Sequence, residues 1–260
     1  MSTAKSGRSA TIRRVARDAG EIAVADYDGD EPAIVAMHGF PDRRSIYEPL
    51  ADRLAGRRVL ALDFPGWGDS DKPLGHAYTA ASLEADLDAV VSELTADPVD
   101  LVAHDASGPT AINWALRSPQ RTNRLLLLNT YYHEQRNALR LPELIELFAN
   151  PATQRLTTTL ANDHGLLLLA FAWQGLDFRA RHQRSIGQNN ATVEALRAFE
   201  RPVLVAFGQH DPYLSPAVAR AIAGLFPSPR LELLDTGHWP QLELPDRLAE
   251  LLLDRSIFTT

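Results

Sequence analysis

Short apolar runs bounded by polar turns recur along this chain, and between most of them apolar residues return at helical spacing. Residues 11–27 alternate loosely about Gly20, which predicts two strands in a hairpin. Residues 33–37 are continuously apolar, the mark of a strand covered on both faces. A helix over 46–55 ending near Gly56, a strand over 59–62, a long ordered loop over 63–73 and an amphipathic helix over 82–94 follow. Next come a strand over 99–103, a helix over 110–116, and a strand over 124–129 that carries four consecutive leucines. Strand signals then stop from 131 to 198, where Leu, Ala, Gln, Asn and Arg recur at helical spacings. The alternation resumes with a strand at 203–207, a helix at 217–225, a strand at 231–234 and a closing helix at 247–253.

Alternating strands and helices of this kind make an α/β fold with a mainly parallel sheet flanked by helices. The expected organisation is a core over 11–130 and 199–260, an inserted helical cap over 131–198, and a mobile N-terminal tail over 1–10.

Composition narrows the chemistry. A length of 260 residues with 45% hydrophobic content suits one sizeable core with an insertion. A formal charge of -7 with scattered arginines argues against nucleic acid and favours a small-molecule partner. The absence of cysteine removes disulfides, thiolate metal sites and cysteine nucleophiles. Residues 1–10 hold no apolar core of the length a signal peptide needs and no run elsewhere approaches a membrane span, so a cytoplasmic protein without a membrane partner is expected.

The stretch Leu101 to Pro109 is the chemical centre. It runs from a strand through a sharp turn into a helix, and a nucleophile placed on such a turn needs small residues two before it and two or three after it. Ala103, Ser107 and Gly108 meet that demand when Asp105 is central. With Ser107 at the centre, Asp105 and Pro109 would fall in the crowded positions, so the phase of the small residues selects the carboxylate. Asp211, in Gly208-Gln209-His210-Asp211-Pro212, and His238, in Thr236-Gly237-His238-Trp239, also follow strand signals. In a parallel sheet these three groups converge at the C-terminal edge, in the chain order nucleophile, acid, histidine.

These motifs, with His38-Gly39-Phe40-Pro41 and the loop from Asp63 to Pro73, resemble the α/β-hydrolase superfamily, and within it the aspartate-nucleophile branch of epoxide hydrolases and haloalkane and fluoroacetate dehalogenases. The resemblance spans nearly the whole core. It implies that Asp105 is the nucleophile, His238 the base and Asp211 its partner, with the main-chain N–H groups of Phe40 and Ala106 as the oxyanion hole. No cofactor and no metal are expected, and the acids and histidines show no metal-ligand spacing.

The residue types fit that chemistry. A carboxylate with an ordinary pKa of ~3.9 is already ionised at neutral pH and attacks carbon without a base. Its attack on an ester would give an unstable anhydride, whereas attack on a saturated carbon gives a stable ester that water can open. The residue after the nucleophile is Ala106, where dehalogenases carry a Trp or Arg that holds halide or carboxylate. The Phe40-Pro41 loop is closer to epoxide hydrolases, which protonate the opening ring from the cap. Candidate donors and substrate-binding residues are Tyr131, Tyr132, His164, Trp173 and His182, with His38 and Trp239 beside the first and last loops. Trp173 also reads as core filling, and His164 and His182 as surface residues. His38 and His104 are expected to orient their loops, and His210 to be exposed.

The expected activity is therefore hydrolysis of a small hydrophobic epoxide to a diol through an aspartyl ester, with water as the second substrate and a homodimer allowed for. Haloalkane dehalogenation is the alternative within this chemistry. A non-hydrolytic scaffold that binds or cyclises a ligand is the alternative outside it.

Overall fold

A computed structural model describes residues 7–17, 20–40, 42–73, 79–133, 189 and 192–254. Strands β1 (Thr11–Arg17) and β2 (Gly20–Tyr27) form the expected hairpin, followed by β3 (Asp30–Met37). A single 3-10 turn, Arg44–Tyr47, leads into α1 (Glu48–Arg53) and then β4 (Arg57–Leu62). The helix expected over 46–55 thus opens as a tighter turn, because Pro49 stands in its first α-helical turn and lacks an N–H. Helix α2 (Ala80–Leu94), β5 (Val99–Asp105), α3 (Gly108–Arg117) and β6 (Thr122–Thr130) complete the first half. After the insertion come β7 (Val203–Gly208), α4 (Pro216–Ala223), β8 (Pro229–Leu234), α5 (Pro240–Glu243) and α6 (Pro245–Leu253).

The strands make one eight-stranded sheet in the order β1-β2-β4-β3-β5-β6-β7-β8. The first two strands join antiparallel, and β4, β3, β5, β6, β7 and β8 run parallel. Alternate residues of a strand point to opposite faces, which explains the continuous apolar runs. Val35, Met37, Leu125 and Leu127 pack into one layer with Leu87 of α2, Ile112 of α3 and Ile222 of α4. Ile34, Ala36, Leu126 and Leu128 pack into the other with Leu50 of α1 and Leu251 of α6.

Within the stretch expected to be a mobile tail, Arg8 is tied to the core: its N–H donates to Asp52 at 2.7 Å, and its guanidinium donates to the main-chain oxygens of Ala51, Asp28, Leu54 and Arg57. The chain is therefore engaged from residue 7. Of the expected cap, the described ends are residues 131–133, 189 and 192–198, and residues 192–196 are helical. Among the described residues, no helix is long and apolar enough to cross a membrane.

The parallel register brings one set of chain ends together. Met37 pairs with Ala103, Asp105 with Thr130, and Gly208 with Leu234, so the loops after β3, β5, β6, β7 and β8 leave the sheet from the same edge. The loop after β4 is ordered beside them. Buried Asp63 accepts from the Asp69 N–H at 2.9 Å and pairs with Arg44, while Ser70 donates back to its carbonyl.

Candidate active site

Asp105 ends β5 with a φ of 48°, in the left-handed region that an L-residue enters only when its surroundings compensate. Two glycines make the turn possible. A Cβ on Gly39 would stand 2.4 Å from the Asp105 Cβ, and one on Gly108 would stand 1.9 Å from Thr130 Oγ1. Thr130 uses that hydroxyl to donate to the Asp105 main-chain oxygen at 2.5 Å. The carboxylate is held as well, since the Phe40 N–H donates to Asp105 Oδ2 at 2.9 Å. Ala106, the second expected oxyanion donor, follows in the turn between β5 and α3 and is half-buried.

Ser107 is buried and its hydroxyl is committed to the turn. Its oxygen accepts from the His104 N–H at 3.0 Å, and its proton is shared between the carbonyls of Met37 at 2.9 Å and His104 at 2.8 Å. That hydroxyl closes the elbow onto β3.

His238 leaves the sheet after β8 and is buried, with Nδ1 2.7 Å from Asp211 Oδ2. A carboxylate only accepts, so Nδ1 carries the proton and Nε2 is left for chemistry. Asp211 is itself fixed by three more donors: the N–H groups of Tyr213 at 2.7 Å and Leu214 at 3.0 Å, and Asn129 Nδ2 at 2.6 Å. Burial pushes the Asp211 carboxyl up, but the His238 and Asn129 hydrogen bonds outweigh it and hold the group below its ordinary value. Burial likewise pushes His238 down; its bond to Asp211 and the charges of Asp105, Asp211 and Asp42 outweigh this and leave the imidazole above its ordinary 6.5. Asp211 and His238 thus form a bonded acid–histidine pair at the sheet edge from which Asp105 also leaves, and the charge of Asp105 acts on the imidazole.

The remaining candidates separate. His38 is buried, donates from Nδ1 to the Gly39 carbonyl at 2.7 Å and accepts from the Phe64 N–H at 3.1 Å. With both ring nitrogens on main chain, it orients the loop and does not bind substrate. Tyr132 is also corrected: it is buried, and its hydroxyl lies between Asn113, at 2.7 Å, and Thr192, away from the elbow. Trp239 packs edge-on against His238 with ring centroids 4.9 Å apart, but its indole N–H already donates to Asp42 at 3.1 Å. Tyr131 follows β6, and its phenol is pushed up by burial and then by the charge of Asp105. His164, Trp173 and His182 lie outside the described residues. His210 is exposed as expected and pairs with Asp235 at 2.6 Å.

Three residues enter the site that the sequence reading did not single out. Asn129, with a φ of 33°, joins Asp211 to β7 by also accepting from the Gly208 N–H at 2.9 Å. Its signal was available, since a polar residue ends the four-leucine strand just as Asp105 ends β5. Tyr213 stands edge-on to His238 with centroids 5.1 Å apart. Asp42 faces both Trp239 and His104, and nothing in its local sequence announces that.

Residues 34–251 match the alpha/beta hydrolase family. The chain belongs to this family. It is 26% identical to the sn-1-specific diacylglycerol lipase ABHD11 of Mus musculus, over 85% of this chain and 79% of that protein. It is also 26% identical to 2-hydroxymuconate semialdehyde hydrolase of Pseudomonas putida, over 75% of each. In structure it is similar to the haloalkane dehalogenase DbeA of Bradyrhizobium elkani, with a TM-score of 0.77 at 18% identity, covering 93% of this chain and 96% of that one. In this alpha/beta hydrolase Asp105 stands at the tip of the β5–α3 turn, and the hydroxyl of Ser107 is turned into the fold.

This arrangement has a direct consequence for Ser107→Ala. The substitution is expected to cost about 1–3 kcal/mol of stability, because the His104 N–H loses its buried partner, while the Met37 carbonyl keeps the Tyr47 hydroxyl. Hydrolytic turnover is expected to persist. Urea unfolding and steady-state rates on the same preparation check both points, and complete loss of turnover in a folded Ser107→Ala protein would contradict the assignment.

Proposed function

We propose that this alpha/beta hydrolase opens small hydrophobic epoxides to diols through an ester on Asp105. The observation that carries the reading is the Asp105 carboxylate itself, with one oxygen on the Phe40 N–H and the bonded His238–Asp211 pair beside it. In the first step the free oxygen, Oδ1, attacks an epoxide carbon and the ring C–O bond breaks. The departing oxygen takes a proton from Tyr131, whose buried phenol feels the charge of Asp105. Oδ2 is then the ester carbonyl and already lies on its oxyanion donor.

In the second step water attacks the Asp105 carbonyl carbon while His238 Nε2 takes its proton. The oxyanion gathers on Oδ2 against the Phe40 N–H and, in this reading, that of Ala106. Collapse breaks the bond between the Asp105 carbonyl carbon and the substrate oxygen. The proton on His238 passes to that oxygen, which leaves as the second hydroxyl of the diol; the other proton of the water, left on the Asp105 carboxyl, returns to the Tyr131 phenolate, and both residues are regenerated.

The choice of epoxide over halide rests on the donors. Ala106 offers no side-chain N–H to a departing halide, and the Trp239 indole is spent on Asp42. Tyr131 suits an opening epoxide oxygen. The rings of Trp239 and Tyr213 against His238 favour an apolar substrate over a charged one. The non-hydrolytic alternative gives the His238–Asp211 pair no task.

Two measurements test this. In His238→Gln, the first step is expected to run and the second to stall, so styrene oxide or a similar epoxide should add its full mass to the peptide holding Asp105. Asp105→Ala should show neither adduct nor turnover, and turnover surviving in Asp105→Ala would end the aspartyl-ester reading. The second measurement is the pH dependence of ester breakdown in the wild-type protein, followed by rapid quench. Base catalysis requires neutral His238, so breakdown should speed up as pH rises through its midpoint. Esterification removes one negative charge that raises this imidazole, so the kinetic midpoint should fall below the free-protein midpoint, which lies above 6.5. Breakdown that is fastest in acid would contradict His238 as the base.

A further inference from the structure

Asp42 closes the loop that presents Phe40. Its N–H donates to the Gly39 carbonyl at 3.2 Å, making a turn around Phe40. Its carboxylate reaches two other loops: Oδ2 accepts from Trp239 Nε1 at 3.1 Å and faces His104 Nδ1 at 3.5 Å. His104 is fully buried on β5, immediately before the nucleophile position. Its Nε2 lies 2.8 Å from the main-chain oxygen of His238 and must donate there, since a carbonyl offers only lone pairs. The Nδ1 of His104 has no well-aligned hydrogen-bond partner, so the carboxylate of Asp42 is the charge it faces. The rings of His104 and His238 stand 4.7 Å apart. Through the Trp239 indole, Asp42 therefore ties the loop carrying the Phe40 N–H to the loop carrying the base, and its carboxylate faces the ring that holds the His238 carbonyl.

We propose that Asp42 is a second carboxylate of the site, a positioning residue that couples the Phe40 loop to His238 through His104 and Trp239 and supports the imidazolium of His238 during ester breakdown. The inference rests on the aspartyl-ester reading only for the step at which it acts.

The charge argument follows from what surrounds His238. The described titratable groups that face it are Asp211 from the loop after β7, Asp105 from the elbow, His104 from β5, Asp42 from the loop after β3, and Tyr213 beside Asp211. Asp42 is ionised at neutral pH: burial pushes its carboxyl up, but His104, Trp239 and His38 together hold it below its ordinary value. Once Asp105 is esterified it is neutral. Asp211 and Asp42 then still favour the protonated imidazole, and the carboxylate of Glu243 lies on the N–H groups of Gly237 and Trp239 to either side of it. Asp211 does so through a hydrogen bond, and Asp42 does so through space and through the ring between them.

The test is a titration of the imidazole nitrogens of the intact protein by NMR, with His238 assigned from the signal lost in His238→Gln. Asp42→Asn keeps the shape and an acceptor for the Trp239 indole but removes the charge. It is expected to lower the His238 midpoint by about half a unit to one unit. Asp42→Glu restores the charge and is expected to return most of the shift, which a purely structural role would not do. The acid limb of ester breakdown in Asp42→Asn is expected to move to lower pH in step with the midpoint. An unchanged His238 midpoint in folded Asp42→Asn overturns the proposal. If instead no adduct forms in His238→Gln, the aspartyl-ester reading falls on that result alone, and the titration still decides for or against Asp42.

Discussion

The backbone of Asp105 is the constraint to which the rest of the site answers. A side chain lifted clear of a strand-to-helix turn requires a left-handed residue at its tip, and at a non-glycine position that costs on the order of 1–3 kcal/mol. The fold offsets this by packing against the turn from three directions. Gly39 lets β3 approach it, Gly108 lets the helix start beneath Thr130, and Ser107 binds the turn to Met37. The same packing that stabilises the strained residue also aims it, because the approach that Gly39 permits is what brings the Phe40 N–H onto Oδ2.

Electrostatics then divides the labour among residues that are chemically alike. Asp105 presents one oxygen to a main-chain donor, while Asp211 is wrapped by His238, Asn129 and two N–H groups. A carboxylate with four donors is a poor nucleophile and a good anchor, since each hydrogen bond spreads the charge that attack would need. The histidine between them is raised by its acidic neighbours while burial opposes them. Its basicity therefore depends on which carboxylates are charged at a given moment, and in the proposed mechanism esterification of Asp105 alters that balance at the point where the imidazole accepts a proton.

Much of this could be read from the chain because strands and their ends have local signatures. Apolar runs at 33–37, 99–103, 124–129 and 203–207 mark strands covered on both faces, and the polar residues that end them mark the sheet edge. Small residues flanking Asp105 distinguish it from Ser107 for a steric reason that the positive φ and the buried hydroxyl both express. What escaped were roles set by partners far away in sequence. Tyr132 and Tyr131 are adjacent and identical in type, yet one is tied to Asn113 and Thr192 while the other lies in the field of Asp105. Trp239 offered an indole N–H that Asp42, 197 residues away, already takes. No periodicity encodes such pairings, because they are properties of the assembled sheet edge.

The central claim is that an oxygen of Asp105 becomes an oxygen of the product. A single turnover in ¹⁸O-water, with protein in excess over epoxide, tests it most directly. Water opens the ester at the Asp105 carbonyl carbon, so the expected result is a diol free of ¹⁸O and one ¹⁸O atom in the peptide containing Asp105. A diol that carries ¹⁸O from the first turnover, with an unlabelled Asp105 peptide, would contradict the account.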